Sequence, residues 1–405
     1  MKYDSVSQDF TAVYSPQDQW PNVPKLVLVG LSLLSVYALF PSESEGERFT
    51  LITRLFSFGL LTGVACVYGE ARKDVLVWLL WFPVFFIGLM VFANSPDFSP
   101  RLLNLAAIIA LSALVVAFSS GPIGRQVFLS IINFLLVFSA VALFLQIVLL
   151  FIVGQLVEVH GLIFPWGVSR SAELERFGIA RLSGVHTEPG THSAYSVGLL
   201  IVRQFLGQDI FDRIGVLVIA SVAATLSFWG LLATSTYLFS YMSRLVLIGK
   251  GRQRVISSLG LLIAAIAVFL LYAPDYFLED VLNYFSLRAE VSVASGSSKM
   301  VAWVMGVRHL GDVAFLGLPI GTDYCNGCVS PQDAGLVLNF ALHLGVLAGI
   351  VYFLIFIISS FYVGGIAFLP FACLFAFAKF FYFDPIVWLA FFLAICELGR
   401  AKKRL

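Results

Sequence analysis

Apolar runs close to the length of a bilayer span recur along this chain, separated for the most part by short polar breaks. A helix needs roughly 20 predominantly apolar residues to cross the hydrocarbon core of a membrane. The pattern predicts membrane helices at 25–40, 49–69, 75–93, 101–119, 126–154, 191–207, 213–229, 231–249, 255–273, 333–357, 361–379 and 384–398. That is about twelve crossings. Two stretches do not follow the short-break rule, 155–190 and 274–332. The expected architecture is an all-α polytopic membrane protein, one integral membrane domain over 1–405 with two long loops.

Lys and Arg in short loops mark the cytoplasmic side of a membrane protein. Arg72 and Lys73, Arg125, Arg213, the group Lys250, Arg252 and Arg254, and the tail Arg400, Lys402, Lys403 and Arg404 all fall on one side of the predicted topology. The opposite short loops, PSESEGER at 41–48 and NSPDFSP at 94–100, are acidic or nearly uncharged. Both termini are therefore expected in the cytoplasm and both long loops on the periplasmic face. The first residues, MKYDSVSQDFTAVYSPQDQWPNVP, are polar and mixed in charge, without the basic segment and cleavage site of a signal peptide. They are expected to remain as a cytoplasmic tail.

Composition sharpens this picture. Of 405 residues, 60% are hydrophobic and only 12% charged, against about a quarter charged in soluble domains. The mean hydropathy is +0.94. A net charge of +1 gives no reason to expect a nucleic-acid partner.

An ion-coupled transporter would place ionisable groups deep within its helices. Here Arg54, Glu70, Arg101, Arg203, Lys379, Asp384 and Glu397 fall near predicted helix ends, where snorkelling to the interface is the ordinary reading. The polar chemistry gathers in the two long loops. The first carries His160, Arg170, Arg176, Arg181, His186 and Glu188, with His192 just beyond it; the second carries Arg288, Lys299, Arg308, His309, Asp323 and Tyr324, with Asp333 at its end. Arginines above lipid headgroups suit a phosphate-rich ligand, because the planar guanidinium grips phosphate oxygens through paired hydrogen bonds.

Metal chemistry is not expected. His186 and His192 lie six apart across a Pro-Gly break, unlike the spacing of a helical zinc site. No D-x-D pair occurs in either loop, and Glu279 and Asp280 are adjacent. His343, within a predicted helix, reads as a hydrogen-bonded packing residue. Cys66, Cys373 and Cys396 lie in predicted helices, which leaves Cys325-x-x-Cys328 in the second loop, either as a local disulfide or as two thiols.

Four segments carry a family resemblance. Arg181-x-x-Gly184-x-x-x-Glu188-Pro189 resembles the R-x-x-G-x-x-x-E-P signature before a membrane helix in the O-antigen polymerase and O-antigen ligase family of bacterial membrane proteins. TLSFWGLLAT at 225–234 resembles its Thr-Leu-Ser stretch opening a helix, with Phe228 where Arg commonly follows. Lys299-x-x-x-Trp303 is similar to its Arg-x-x-x-Trp, and FLGLPIG at 315–321 to its Gly-rich turn. DAGLVLNFALHLGVLAG at 333–349 resembles the helix that closes the second loop, with Asp333 where relatives often show His-Asn.

The resemblance implies a GT-C-like glycosyltransferase. Such an enzyme transfers the reducing-end sugar of a polyprenyl-diphosphate-linked chain to an acceptor hydroxyl, with inversion, and releases the lipid diphosphate. Arg181 and Arg288, with Lys299 or Arg308, are the candidates to bind the diphosphate and meet its developing charge, a role that preorganised cations fill well. No metal or other cofactor is expected. His186, Glu188 and Asp333 are the candidate bases, and Glu188 has a second reading as the ion-pair partner that orients Arg181. The favoured function is polymerisation of lipid-linked repeat units of O-antigen, capsule or exopolysaccharide in the bacterial inner membrane. The expected partners are lipid-linked donor and acceptor and membrane lipid, with a chain-length regulator protein as a further candidate. An O-antigen ligase acting on lipid A core shares the chemistry. A lipid-linked oligosaccharide flippase is the alternative from another class.

Overall fold

The computed structural model describes residues 24–40, 47–68, 100–150, 156–165, 182–247, 300–308, 335–378 and 384–402, with a few isolated positions besides. The predicted helices 75–93 and 255–273 and most of the second long loop lie outside these residues, apart from a helical turn or two at 300–308 and scattered helical positions between 81 and 88. The regular structure of the described residues is all helical, with no strand among them.

In chain order the helices are α1 (Lys25–Leu39), α2 (Glu47–Tyr68), α3 (Pro100–Phe118), α4 (Pro122–Val148), α5 (Val159–Ile163), α6 (Pro189–Phe205), α7 (Arg213–Ala224), α8 (Phe228–Leu247), α9 (300–308), α10 (Leu336–Leu344), α11 (Val346–Ala376) and α12 (Pro385–Lys402). Helix α6 is central, packed against α4, α7, α8, α11 and α12. Almost all of its residues are buried. The bundle has two ends. One gathers Glu188, Asp384 and the end of α4; the other gathers Arg125, Glu397 and Arg400.

Local chemistry sets the helix ends. Gly121 precedes Pro122, whose missing N–H and fixed φ suit the first helical position. Gly124 tucks under the preceding helix, where a Cβ would lie 2.4 Å from the Phe118 carbonyl oxygen. Asp212 caps α7 by accepting from the Gly215 N–H at 3.0 Å, and Ser227 accepts from Gly230 N–H at 2.9 Å at the start of α8.

Three breaks fall elsewhere than the sequence expectation, and the predicted helix 126–154 runs instead from Pro122 to Val148. The predicted helix 213–229 ends at Ala224, and Thr225, Leu226 and Ser227 form the break before α8, with Leu226 at φ 49°. The predicted helix 333–357 is divided at Gly345, φ 92° and ψ 150°. Helix α10 folds back along α11, as Phe340 packs on Tyr352 and Ala341 on Gly349. At about 1.5 Å per residue, α10 is too short to cross a membrane, and its start lies buried beside the Ala378 carbonyl. The third is at Gly365, φ 66° and ψ −170°, which folds α11 into two arms, so that Phe356 stacks on Phe375. The break predicted at 358–360 is helical. Both breaks fall on glycine, whose missing side chain permits the positive φ.

Among the described residues two helices are long and apolar enough to cross a membrane, Pro122–Val148 and Val346–Ala376, at mean hydropathies of 2.6 and 2.4. The first arm of α11 is apolar on both faces. Tyr352 and Phe356 pack inward with Ser359 and Ser360, while Leu347, Ile350, Leu354, Ile358 and Phe361 are each about half exposed. Polar side chains instead collect inside: Ser139, Gln146, His186, His192, Ser193, Arg203 and Ser221 are all buried.

Of the charged residues read as snorkelling, Arg54, Arg203, Asp384 and Glu397 are paired; Glu70, Lys379 and the Arg101 side chain lie outside the described residues. Arg203 is 1% exposed and reaches Asn133 at 2.7 Å, both carboxylate oxygens of Asp212, and the Asp209 carbonyl. Arg54 meets Asp384 at 3.3 Å, and Arg400 and Arg125 flank Glu397. A buried charge is retained where a partner and further hydrogen bonds satisfy it.

Candidate functional site

The R-x-x-G-x-x-x-E-P segment leads into α6. Arg181 itself lies outside the described residues; Leu182 to Pro189 fold down onto the bundle. Gly184 has φ +59°, and a Cβ there would meet the Leu143 backbone at 3.2 Å. The motif's glycine is thus required by conformation and by close approach to α4. Gln146, near the end of α4, secures the segment from both sides. Its Oε1 accepts from the Ser183 and Gly184 N–H groups at 3.1 and 2.9 Å, and its Nε2 donates to the Val157 carbonyl at 2.9 Å.

Glu188 stands at the N-cap of α6 in an extended conformation, half-buried, and Pro189 takes the first helical position. The Glu188 side chain does not cap the helix. Its backbone carbonyl accepts from the His192 N–H at 3.0 Å.

Beneath the segment lies a buried cluster of histidines and hydroxyls. Ser139 Oγ on α4 is 3.2 Å from His186 Nε2 and 3.3 Å from His192 Nδ1. His192 Nε2 is 3.1 Å from Ser221 Oγ on α7, and Ser221 Oγ donates to the Val218 carbonyl at 2.7 Å. The His186 ring lies between Phe40 and Tyr195, at centroid distances of 4.7 and 5.6 Å. Its Nδ1 has no hydrogen-bond partner. His160 on α5 reaches the Val185 carbonyl through Nδ1 at 2.8 Å. Burial, with added repulsion from His192 and His160, holds the His186 imidazole well below its usual pKa, so the ring is neutral at neutral pH.

Two further polar groups border this cluster. Ser193 joins Thr225 at 3.2 Å and Ser227 at 3.1 Å, tying the Thr-Leu-Ser break to the first turn of α6. On the other side the Tyr195 hydroxyl approaches the Arg54–Asp384 pair without a well-formed hydrogen bond to either. Two of the four resemblance segments therefore meet in space at one end of the bundle.

Of the residues singled out from sequence, His186, Glu188, His160 and His192 come together here. Arg308 is exposed on α9, which packs against Leu338 and Leu342 of α10 through Gly306. Trp303 is also exposed on α9. His343 is buried on α10, in keeping with a packing role, and Gly317 of the FLGLPIG turn lies against its carbonyl. Arg170, Arg176, Arg181, Arg288, Lys299, His309, Asp323, Tyr324, Cys325, Cys328 and Asp333 lie outside the described residues. The three remaining cysteines, Cys66, Cys373 and Cys396, are free thiols.

Ser139, Gln146, Tyr195, Ser221, Arg54 and Asp384 belong to this end of the bundle but lie outside both loops. The one signal in the sequence is Gln146, a lone amide in the run ALFLQIVLLF. Among the described residues no group of three His, Cys, Asp or Glu side chains is placed to hold a metal ion. Set against models of protein families, curated proteins and solved structures, the chain matches none of them.

Proposed function

We propose that this chain is a GT-C-like inner-membrane glycosyltransferase that polymerises lipid-linked oligosaccharide repeat units. The bundle lies in the bacterial inner membrane with both termini cytoplasmic and the Glu188 end on the periplasmic side. An apolar outer face around a polar interior supports the membrane reading, since lipid, unlike water, tolerates exposed Leu, Ile and Phe along a whole helix.

The observation that carries the proposal is the anchored segment 182–189. It sits at one end of an apolar-sided bundle, held by Gln146 and the histidine cluster, with Arg181 adjacent in sequence. That is the level at which the diphosphate of a membrane-embedded lipid lies. Arg181 and Arg288, with Lys299 and Arg308, then bind the diphosphate and stabilise the charge that grows as the sugar–phosphate bond breaks. An incoming repeat unit supplies the hydroxyl that attacks the anomeric carbon from the opposite face, so the configuration inverts. Guanidinium groups fill the place that a divalent metal takes in many soluble transferases.

The test is polymer length in cells that carry Arg181→Ala or Arg288→Ala at normal protein level. Each is expected to abolish polymer, and Lys at either position to restore little, because a point charge does not reproduce the paired geometry. Near-normal polymer from both alanine variants would overturn the assignment.

A further inference from the structure

The end of the bundle opposite Glu188 carries a charged cleft beside an apolar groove. In the cleft, Arg125 at the start of α4 donates to the Leu206 and Phe205 carbonyls at 2.8 and 3.3 Å, where α6 ends, and stands 3.8 Å from Glu397. Arg400 of α12 pairs with the same carboxylate and reaches the Ser120 carbonyl at 3.4 Å. These side chains line a cleft of about 240 Å³, its open side included, and each is partly exposed. Two guanidinium groups share one carboxylate, so a positive charge is left over. Arg400 spends one N–H on Glu397 and one on Ser120, and a guanidinium carries five. The run GRAKKRL at 399–405 adds Lys402, Lys403 and Arg404 at and just beyond the end of α12.

A groove of about 590 Å³, its open side included, adjoins this cleft: Ser119 lines both, and Gly124 of the groove precedes Arg125 of the cleft. Its floor includes Leu31, Phe58, Ile131 and Leu389, all buried. Its rim is partly exposed, with Val64 and Ala65 on α2 facing Gly124 and Val127 on α4. The groove therefore opens sideways between α2 and α4. Among its described lining residues Ser119 is the one polar side chain. From Gly124 to Ile131 the wall of α4 runs about 10 Å, which fits within the ~15 Å that one leaflet gives to the hydrocarbon core.

Water has no polar partners in such a space and does not fill it. Pockets of about 300–1,000 Å³ take a small ligand. The lining of this one suits a hydrocarbon chain, and the cations at its end suit a phosphate. Basic clefts between membrane helices at the cytoplasmic face attract anionic headgroups, as do basic runs just past a membrane helix. We propose that this end of the bundle binds an anionic membrane phospholipid, with its phosphate held by Arg125 and Arg400 and one acyl chain laid in the groove between α2 and α4. This rests on the membrane reading above and not on the chemistry of the Glu188 end.

The test is lipid binding to the purified full chain by native mass spectrometry, with phosphatidylglycerol and phosphatidylcholine of identical chains as probes. Thermal unfolding in the same detergent is the second readout. Wild type is expected to bind phosphatidylglycerol about 5- to 25-fold more tightly, the share of one or two basic residues near a membrane surface, and to unfold at a higher temperature in its presence. Arg400→Gln is expected to cut the preference about fivefold, and Arg400→Lys, which keeps the charge, to retain most of it. Lys403→Gln with Arg404→Gln, beyond the last helical residue Lys402, is expected to lower it as well without touching the Glu397 pair. Ala65→Phe fills the mouth of the groove and is expected to weaken both lipids alike. Val67→Phe, exposed on the same helix outside the groove, is expected to weaken neither.

Equal affinity of wild type for the two headgroups would overturn the phosphate site. Undiminished binding by Ala65→Phe, or displacement of the lipid by inorganic phosphate at equal concentration, would overturn the groove. A chain that shows these preferences but never extends lipid-diphosphate units would support this site while overturning the polymerase reading. One that stays monodisperse in buffer without detergent would overturn the membrane reading and this site with it.

Discussion

Replacing Gln146 by Leu tests whether the motif segment is held where the chemistry needs it. Leucine has a similar volume and suits the apolar surroundings, so the helix itself is expected to persist. What is lost is three hydrogen bonds, from Ser183 N–H, from Gly184 N–H and to the Val157 carbonyl. Ser183 and Gly184 are both buried, so two N–H groups lose their partners out of reach of water, while Val157 is partly exposed and its carbonyl can turn to water. Each buried unsatisfied group costs about 1–3 kcal/mol. The total, about 2–6 kcal/mol, falls on residues 182–188 and not on the packed helices. Opening of that segment is then expected to become at least about thirtyfold more frequent, since 1.4 kcal/mol is a factor of ten. Amide hydrogen exchange in detergent or nanodiscs measures this directly. Protection is expected to drop at 183–186 and remain at 387–394 of α12, with elongation falling in parallel. Unchanged protection at Ser183 and Gly184 would refute the claim that Gln146 is the anchor.

Three other outcomes follow from the same structure. Gly184→Ala forces a Cβ into left-handed backbone 3.2 Å from Leu143 and is expected to cost about 1–3 kcal/mol, read as a lower thermal unfolding temperature that a control Gly190→Ala does not share. Arg203→Met leaves Asn133 and the partly exposed Asp212 without the guanidinium they bind and is expected to destabilise by about 1–3 kcal/mol, seen in thermal unfolding of the detergent-solubilised chain. The depressed His186 pKa makes the site segment sensitive to acid: above the ordinary imidazole value of 6.5 both folded and unfolded forms are neutral and stability is full. Below it the unfolded form takes up a proton that the folded form refuses, and stability falls by about 1.4 kcal/mol per pH unit. His186→Gln is expected to lessen that slope in unfolding titrations between pH 7 and 5.

Much of the helical layout was legible because it follows from apolar run length. The ends of α1, α2, α3 and α6 lie within about two residues of the expected positions, since polar or proline breaks stand at each. The turns at Gly345 and Gly365 were not legible. Each lies within an uninterrupted apolar stretch, and only the backbone shows that these glycines, unlike Gly349 or Gly364, adopt positive φ. Pairing was hidden for a different reason. Arg203 and Asp212 look like independent interfacial charges in one dimension, and become a buried pair only when the chain turns after α6. The motif containing Gly184 and Glu188 was legible as a pattern. Its supports Ser139 and Ser221 were not, because small hydroxyl residues in apolar helices usually bond their own backbone, as Ser130 and Ser360 do here.

We propose that this chain alone joins lipid-diphosphate repeat units, using arginines and no metal ion. The most direct measurement is extension of isolated lipid-linked repeat units by the purified protein in the presence of EDTA. A ladder of longer lipid-linked products is expected, unchanged by added magnesium or manganese and absent with Arg181→Ala. Failure to extend the units under any ionic condition would contradict the polymerase assignment. Activity that vanished with EDTA and returned with a divalent ion would contradict the arginine-based mechanism, and would turn attention to Glu188, Asp323 and Asp333 as metal ligands.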